Sequence, residues 1–147
     1  MAKKKLAVIM DPIAAIAPEK DGTLGMLLEA QSRSYELTYF QQEDLRIING
    51  IAMGSGRNLN VEDNTTSWFS LSEENEIPLS DFDVILMRKD PPFNTEYIYT
   101  TYILDLAESL GTLVINSPQS LRNFNEKVSV SFFPDCAAPS LVSSSIE

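Results

Sequence analysis

Two cationic residues follow a short apolar run in the middle of the chain. Residues 83–87 (DVILM) predict a strand buried on both faces of a parallel sheet, and Arg88 and Lys89 come directly after it. Residues 90–92 (DPP) must end this strand, because proline lacks the N–H that a sheet ladder requires. Open α/β sheets bind their ligands at the carboxyl ends of the strands. Arg88 and Lys89 are therefore candidates for binding an anionic group of a substrate.

Both cations also have a purely structural interpretation. Arg88 can bind a substrate carboxylate through two parallel hydrogen bonds, with Lys89 adding a point charge. Alternatively, they form ion pairs with Asp83 or Asp90 that only terminate the strand, since clustered charges are often structural. The sequence leaves both alternatives open.

Two further polar residues end predicted strands. Asp11 follows the apolar residues 5–10, and Asn116 follows residues 112–115. Asp11 could hold a substrate amine or could form a turn with its own backbone. Asn116 could contact the ligand, although turn residues of this kind more often bond their own backbone. Both are candidate substrate-binding residues.

The elements around these residues alternate between strand and helix. Residues 23–33 carry Leu24, Leu27, Leu28 and Gln31 on one helical face, and residues 35–40 predict a second strand. A strand, a helix and a strand in this order predict a βαβ unit with parallel strands. The pattern favours an α/β fold with a parallel sheet and flanking helices.

A small antiparallel insertion is expected after the second strand. Asn49-Gly50 lies between the apolar residues 45–48 and 51–53, and this dipeptide favours the tight turn of a hairpin. The glycines of residues 54–56 predict a second bend. Residues 68–71 predict a further short strand, and the acidic residues 73–76 predict a linker.

The longest helix is predicted at residues 95–109, after a cap at Asn94 and before Gly111. Its apolar stripe, expected to face the core, comprises Tyr99, Tyr102, Ile103, Leu106, Ala107 and Leu110. Ser117 and Pro118 predict the start of another helix. Residues 125–133 could form one more, and residues 141–142 resemble an isolated strand.

The composition excludes several classes of site. The chain has no histidine, which removes Ser-His-Asp catalysis and histidine-ligated zinc. Its net charge of −10 argues against a nucleic-acid-binding surface. Cys136 is the single cysteine and fits a reducing compartment, and no apolar run is long enough to span a membrane. A single cytoplasmic domain without nucleic-acid or membrane partners is expected from 147 residues.

Several segments together resemble the amino-terminal domain of bacterial glutathione synthetase. They are residues 8–13 (VIMDPI), 26–31 (MLLEAQ), 84–93 (VILMRKDPPF), 116–122 (NSPQSLR) and 125–127 (NEK). The resemblance runs in order along nearly the whole chain. It implies a Rossmann-like, pre-ATP-grasp domain at residues 1–122 that forms one wall of the substrate site. It also implies that residues 123–147 begin an ATP-grasp region that is truncated here.

The resemblance further implies a reaction and its participants. This family joins γ-glutamylcysteine to glycine through an acyl phosphate, using ATP and Mg²⁺, and it tends to oligomerise. Lys127 matches the position of a lysine at the nucleotide site. The other nucleotide and metal ligands belong to a missing ATP-grasp part, so no catalytic residue or metal ligand is assigned. This chain alone is expected to bind substrate without being active; the alternative is a non-catalytic binding module or a truncated remnant.

Overall fold

The computed structural model describes residues 3–125 and 127–145. In this part of the chain, the strands are β1 (Lys5–Ile9), β2 (Glu36–Phe40), β3 (Leu45–Ile48), β4 (Ile51–Val61), β5 (Phe69–Pro78), β6 (Val84–Met87) and β7 (Leu113–Ile115). The helices are α1 (Gly22–Ser32), α2 (Thr95–Ser109) and α3 (Pro118–Asn123). None of the helices described is long and apolar enough to cross a membrane.

One half of the sheet is parallel. The strands lie in the order β2-β1-β6-β7, with Ala7 of β1 between Thr38 of β2 and Ile85 of β6. β6 pairs with β1 on one side and β7 on the other, and both pairings are parallel. The strand that precedes Arg88 is therefore central and parallel, as its continuous apolar sequence predicts.

The other half is antiparallel and is longer than a hairpin. β3 and β4 meet at Asn49 and Gly50, whose positive φ angles of 51° and 81° are those of the expected tight turn. β4 continues to pair with β2 and with β5. The α/β fold, with a parallel sheet, flanking helices and an antiparallel insertion, is confirmed.

Two local expectations in this insertion are wrong. Gly54 and Gly56 lie inside β4 rather than in a bend, because the ring of Phe40 occupies the space that their side chains would fill. Residues 73–76 form part of β5 rather than a linker. Their charge is tolerated because the side chains are exposed and Arg57 pairs with Glu74 across the strands at 3.0 Å.

The helices cover opposite faces of the sheet. α1 buries Leu24 and Leu27 against side chains such as Val8 and Tyr39, as its sequence predicts. α2 buries Leu104 on the other face, against Ile9 and Phe40 among others. The polar residues that follow β1 and β6 therefore lie at the sheet edge, between α1 on one face and α2 on the other.

The buried face of α2 differs from the predicted stripe. The helix begins after Asn94, whose Oδ1 accepts a hydrogen bond from the Tyr97 N–H at 3.0 Å. Its buried residues are Tyr97, Thr100, Thr101, Leu104 and Ala107, whereas Tyr99, Tyr102 and Leu110 are exposed. Thr100 and Thr101 can be buried because their hydroxyls donate to carbonyl oxygens of the preceding turn.

Arg122 fastens α3 to α2. Its guanidinium lies 2.8 Å from an oxygen of Asp105, donates to Thr101 Oγ1 at 2.9 Å, and lies 4.7 Å from the centre of the Tyr102 ring. α3 begins at Pro118 as predicted, although the Ser117 side chain forms no capping hydrogen bond.

The segment after α3 holds only two short 3₁₀ turns, Ser129–Phe132 and Pro134–Cys136, in its described residues. The helix considered for residues 125–133 is present only as the 3₁₀ turn Ser129–Phe132, and the strand considered for residues 141–142 is wrong. Glu126 and residues 146–147 lie outside the description. Without an amphipathic repeat, the described residues of this segment bury no large side chain.

Candidate functional site

The carboxyl ends of β1 and β6 lie side by side. Ile9 pairs with Met87, and one residue further the Arg88 N–H donates to the Ile9 carbonyl oxygen at 2.7 Å. This register brings Asp11, Arg88 and Lys89 together, as expected for residues that end neighbouring parallel strands.

Asp11 joins the two loops. Its Oδ1 lies 2.8 Å from Lys89 Nζ, and its Oδ2 accepts a hydrogen bond from the Asp90 N–H at 3.0 Å. Lys89 also donates to the Asp90 carbonyl oxygen at 2.7 Å. Lys89 thus has an ion-pair partner on the other loop, and not the carboxylate of Asp83 or Asp90.

The charge state of Asp11 follows from these contacts. Partial burial acts to raise the pKa of Asp11. Hydrogen bonds from Lys89 and the Asp90 amide, together with the Lys89 charge, outweigh burial and hold the pKa below its usual range. Asp11 therefore stays ionised at neutral pH.

Arg88 is exposed and has a different kind of partner. Its Nε donates to Thr23 Oγ1 in the first turn of α1 at 3.1 Å. In residues 3–125 and 127–145, no carboxylate pairs with its guanidinium. The ion pair considered in the structural interpretation is thus absent from the described chain, and the terminal nitrogens face no opposing charge at ion-pair distance.

The Tyr39 hydroxyl bonds the backbone of the loop after β1. Its buried hydroxyl accepts a hydrogen bond from the Ile13 N–H at 3.1 Å and donates to the Asp11 carbonyl oxygen at 3.4 Å. Burial is the main reason why the pKa of Tyr39 is raised, so the hydroxyl remains protonated. Sequence reasoning missed this role; the available signal was that a buried tyrosine needs a partner for its hydroxyl.

An open cleft lies between these two loops. Its volume is about 320 Å³, and its polar lining consists of Asp11, Lys20, Asp21 and Asp90. Arg88 itself does not line this cleft; it precedes Asp90 by two positions and bonds Thr23, two positions after Asp21. The lining of the cleft thus carries three carboxylates and one ammonium group, which together suit a ligand that carries a positive charge.

A larger cavity of about 560 Å³ lies on the α2 side of Lys89. It is lined by residues that include Gln42, Lys89, Asn94 and Tyr99. Lys89 therefore borders this cavity, while its partner Asp11 borders the cleft. The loop after β6 separates two openings at one edge of the sheet.

The other two candidates lie apart from this cluster. Asn116 is exposed and lines a separate cavity of about 340 Å³ with Ser117 and Phe124. Lys127 is exposed in the segment after α3, and its N–H donates to Asn125 Oδ1 at 3.0 Å. The sequence-predicted set therefore divides into three residues at one sheet edge, of which Asp11 and Lys89 are in contact, and two residues that lie elsewhere. A substrate role for each stays a prediction.

Comparison with known proteins identifies a family whose matched residues include this edge of the sheet. Residues 5–122 match the model of the prokaryotic glutathione synthetase N-terminal domain. The chain belongs to this family. Glutathione synthetase of Escherichia coli (strain K12) is 55% identical over 138 residues, which are 94% of this chain and 44% of that protein. The enzymes of Salmonella typhimurium and Yersinia pestis are 54% and 52% identical.

This membership confirms the resemblance on which the sequence interpretation depends. The matched residues contain α1, α2 and every strand described, so they include the whole Asp11–Arg88–Lys89 cluster. The chain spans less than half the length of the curated glutathione synthetases that it matches.

Proposed function

We propose that this chain is the substrate-side wall of a glutathione synthetase, an ATP-dependent ligase that joins γ-glutamylcysteine to glycine through an acyl phosphate. Family membership supports the reaction class. The arrangement at the carboxyl ends of β1 and β6 supports a role in binding the acidic peptide. The contribution of this chain is to position the substrate, which is a large part of catalysis when two substrates must meet.

Arg88 carries the proposal. Its guanidinium is exposed at the end of a central parallel strand, it is anchored through Nε, and no described carboxylate neutralises it. A guanidinium in this state can bind a carboxylate of γ-glutamylcysteine through two parallel hydrogen bonds.

Asp11, Lys89 and Asn116 have secondary roles in this proposal. Asp11 keeps free lone pairs beside its two hydrogen bonds and can attract the substrate amine, while Lys89 contributes positive charge from the other side. Asn116 would contact a more distant part of the ligand, because it lines a different cavity.

The residues described do not provide a complete binding site for ATP and Mg²⁺. No group of three or more carboxylate, cysteine or histidine side chains suited to a metal ion occurs in residues 3–125 and 127–145. Lys127 alone is proposed to contact phosphate, as a point charge. We place the remaining nucleotide and metal ligands in an ATP-grasp part, and we expect this chain alone to be inactive. A cytoplasmic location fits this role.

Kinetics of Arg88 variants test the proposal. The assay uses a chimera in which this chain replaces the matched 138 residues of the Escherichia coli enzyme. Arg88→Ala should raise the KM for γ-glutamylcysteine about 10- to 100-fold, the range of a lost charge-assisted hydrogen bond, with little change in the KM for ATP. Arg88→Lys, the matched control, should recover only part of the loss because ammonium cannot bind bidentately. An unchanged KM in Arg88→Ala would refute the assignment.

Calorimetry on the 147-residue chain gives an independent test. Weak binding of γ-glutamylcysteine or glutathione, lost in Arg88→Ala, supports a substrate wall. Binding of neither peptide would favour the non-catalytic module.

A further inference from the structure

Thr23 contacts Arg88 from the first turn of α1. Its side chain is buried to 3% exposure, and Oγ1 accepts a hydrogen bond from Arg88 Nε at 3.1 Å. The two residues are 65 positions apart in the chain. The contact therefore depends on how α1 is seated against the sheet.

The position of Thr23 is itself fixed. The Thr23 N–H donates to Asp21 Oδ1 at 2.6 Å, which caps the amino end of α1. The next residue, Leu24, is buried in the core beneath the helix. Capping and packing thus hold the Thr23 hydroxyl still relative to β1 and β6.

We propose that Thr23 is a positioning residue that orients the Arg88 guanidinium for the substrate; this inference rests on the proposed function of Arg88. A guanidinium can grip a carboxylate from its side, with Nε and one terminal nitrogen, or from its end, with both terminal nitrogens. Because Thr23 occupies the Nε–H, only the end of the guanidinium remains for a bidentate grip. Thr23 thereby selects one approach for the substrate carboxylate.

The contact also prepares the site before substrate arrives. A free arginine side chain at a surface samples many rotamers, and ordering it weakens binding. The hydrogen bond to a buried acceptor removes part of this freedom in the unbound protein. Thr23 should therefore affect substrate affinity without touching substrate.

Nuclear magnetic resonance on the 147-residue chain tests the contact directly. The Arg88 Nε–H signal is assigned by its absence in Arg88→Lys. Thr23→Val keeps the shape of the side chain and removes the acceptor, so exchange of this proton with water should accelerate about tenfold, whereas Thr23→Ser should preserve slow exchange. An exchange rate unchanged by Thr23→Val would overturn the proposal. If that variant does not fold, Thr23→Ala takes its place.

Kinetics of the chimera test the consequence. Thr23→Val should raise the KM for γ-glutamylcysteine about fivefold at unchanged kcat, and Thr23→Ser should restore it. Thr112→Val is the control, because Thr112 is equally buried and its hydroxyl donates to the Leu79 carbonyl oxygen away from the cleft. It should lower stability without changing the KM.

A double variant separates this inference from the proposed function. If Thr23 acts through Arg88, then adding Thr23→Val to Arg88→Ala should have no further effect on the KM. A further rise in the KM equal to that caused by Thr23→Val alone would overturn the inference. If Arg88→Ala itself leaves the KM unchanged, the proposed function fails, and the exchange measurement still decides whether Thr23 holds Arg88.

Discussion

Replacing Gly56 with alanine should destabilise the fold strongly for a single methyl group. A Cβ atom there would lie 2.5 Å from Phe40 Cζ, 2.6 Å from Phe40 Cε1 and 2.7 Å from Thr38 Cγ2. Favourable contacts between carbon atoms occur at about 3.5–4.0 Å, so the overlap is about 1 Å. The Phe40 ring cannot move away easily, because it is fully buried and packs edge-on against Phe82 at 5.7 Å.

The expected cost follows from two opposing effects. Overpacking a close-packed core costs about 3 kcal/mol when the neighbours are rigid. Removing a glycine from a strand returns about 0.5–1 kcal/mol, since the unfolded chain loses freedom. Gly56→Ala should therefore lower the free energy of unfolding by about 2 kcal/mol. For a chain of this size, the melting temperature should fall by about 4–8 °C.

Urea denaturation followed by circular dichroism measures this change, and Gly25→Ala is the matched control. Gly25 lies within α1, and a Cβ there meets nothing within 4 Å. The same substitution should stabilise the protein by about 0.5–1 kcal/mol, because alanine is the better helix former. The two variants should thus change stability in opposite directions.

A second substitution tests whether Phe40 is the cause. Phe40→Leu shortens the side chain that meets the new methyl group, so its cost and that of Gly56→Ala should not add in the double variant. Stability of Gly56→Ala equal to that of the unsubstituted chain, or full additivity with Phe40→Leu, would refute the packing explanation for glycine in β4.

Three further predictions concern polar contacts. Arg122→Ala should cost about 1–2 kcal/mol in urea unfolding, because it leaves the half-buried Asp105 without its partner. Tyr39→Phe should cost about 1–2 kcal/mol in the same assay, because the buried Ile13 N–H loses its acceptor. Asp11, whose pKa is lowered by folding, contributes stability that is complete above about pH 4 and is lost as the pH falls below it. Asp11→Asn should therefore lose less stability than the unsubstituted chain between pH 5 and pH 3.

Each of these has a control. Arg33→Ala removes an exposed ion pair with Glu29 and should cost less than about 0.5 kcal/mol, so an equal loss in Arg122→Ala would contradict its role in holding α3. Tyr99→Phe removes an exposed hydroxyl and should be neutral. An acid midpoint unaltered by Asp11→Asn would show that the link between the loops does not depend on charge.

Local signals in the sequence were sufficient for most elements. The run at residues 83–87, the turn at Asn49-Gly50 and the helix at residues 95–109 each depend on neighbours within a few positions, and each is confirmed. The buried face of α2 was not predictable in this way. The predicted stripe relied on the aromatic residues Tyr99 and Tyr102, whereas Thr101 is fully buried because its hydroxyl is satisfied within the helix.

The contacts at the site were likewise only partly predictable from the sequence. That Asp11 and Arg88 share an edge follows from parallel strand order, and this much was predictable. The partners were not: Lys89 pairs with Asp11 from another loop, and Arg88 bonds Thr23 across 65 positions. Such pairings depend on how whole helices and strands pack against one another, which no local pattern in the sequence indicates.

These pairings give the two neighbouring cations different partners in the structure. Lys89 pairs with Asp11, and this ion pair links the two loops. Arg88 receives only a neutral acceptor, so its charge remains unmatched by a described carboxylate. In a chain with a net charge of −10, an arginine without an acidic partner can attract an anionic group only over short range, within a Debye length of about 8–10 Å. Under the proposed function, selection of the substrate carboxylate would depend on the geometry of the Arg88 guanidinium and on the Thr23 hydroxyl that bonds it.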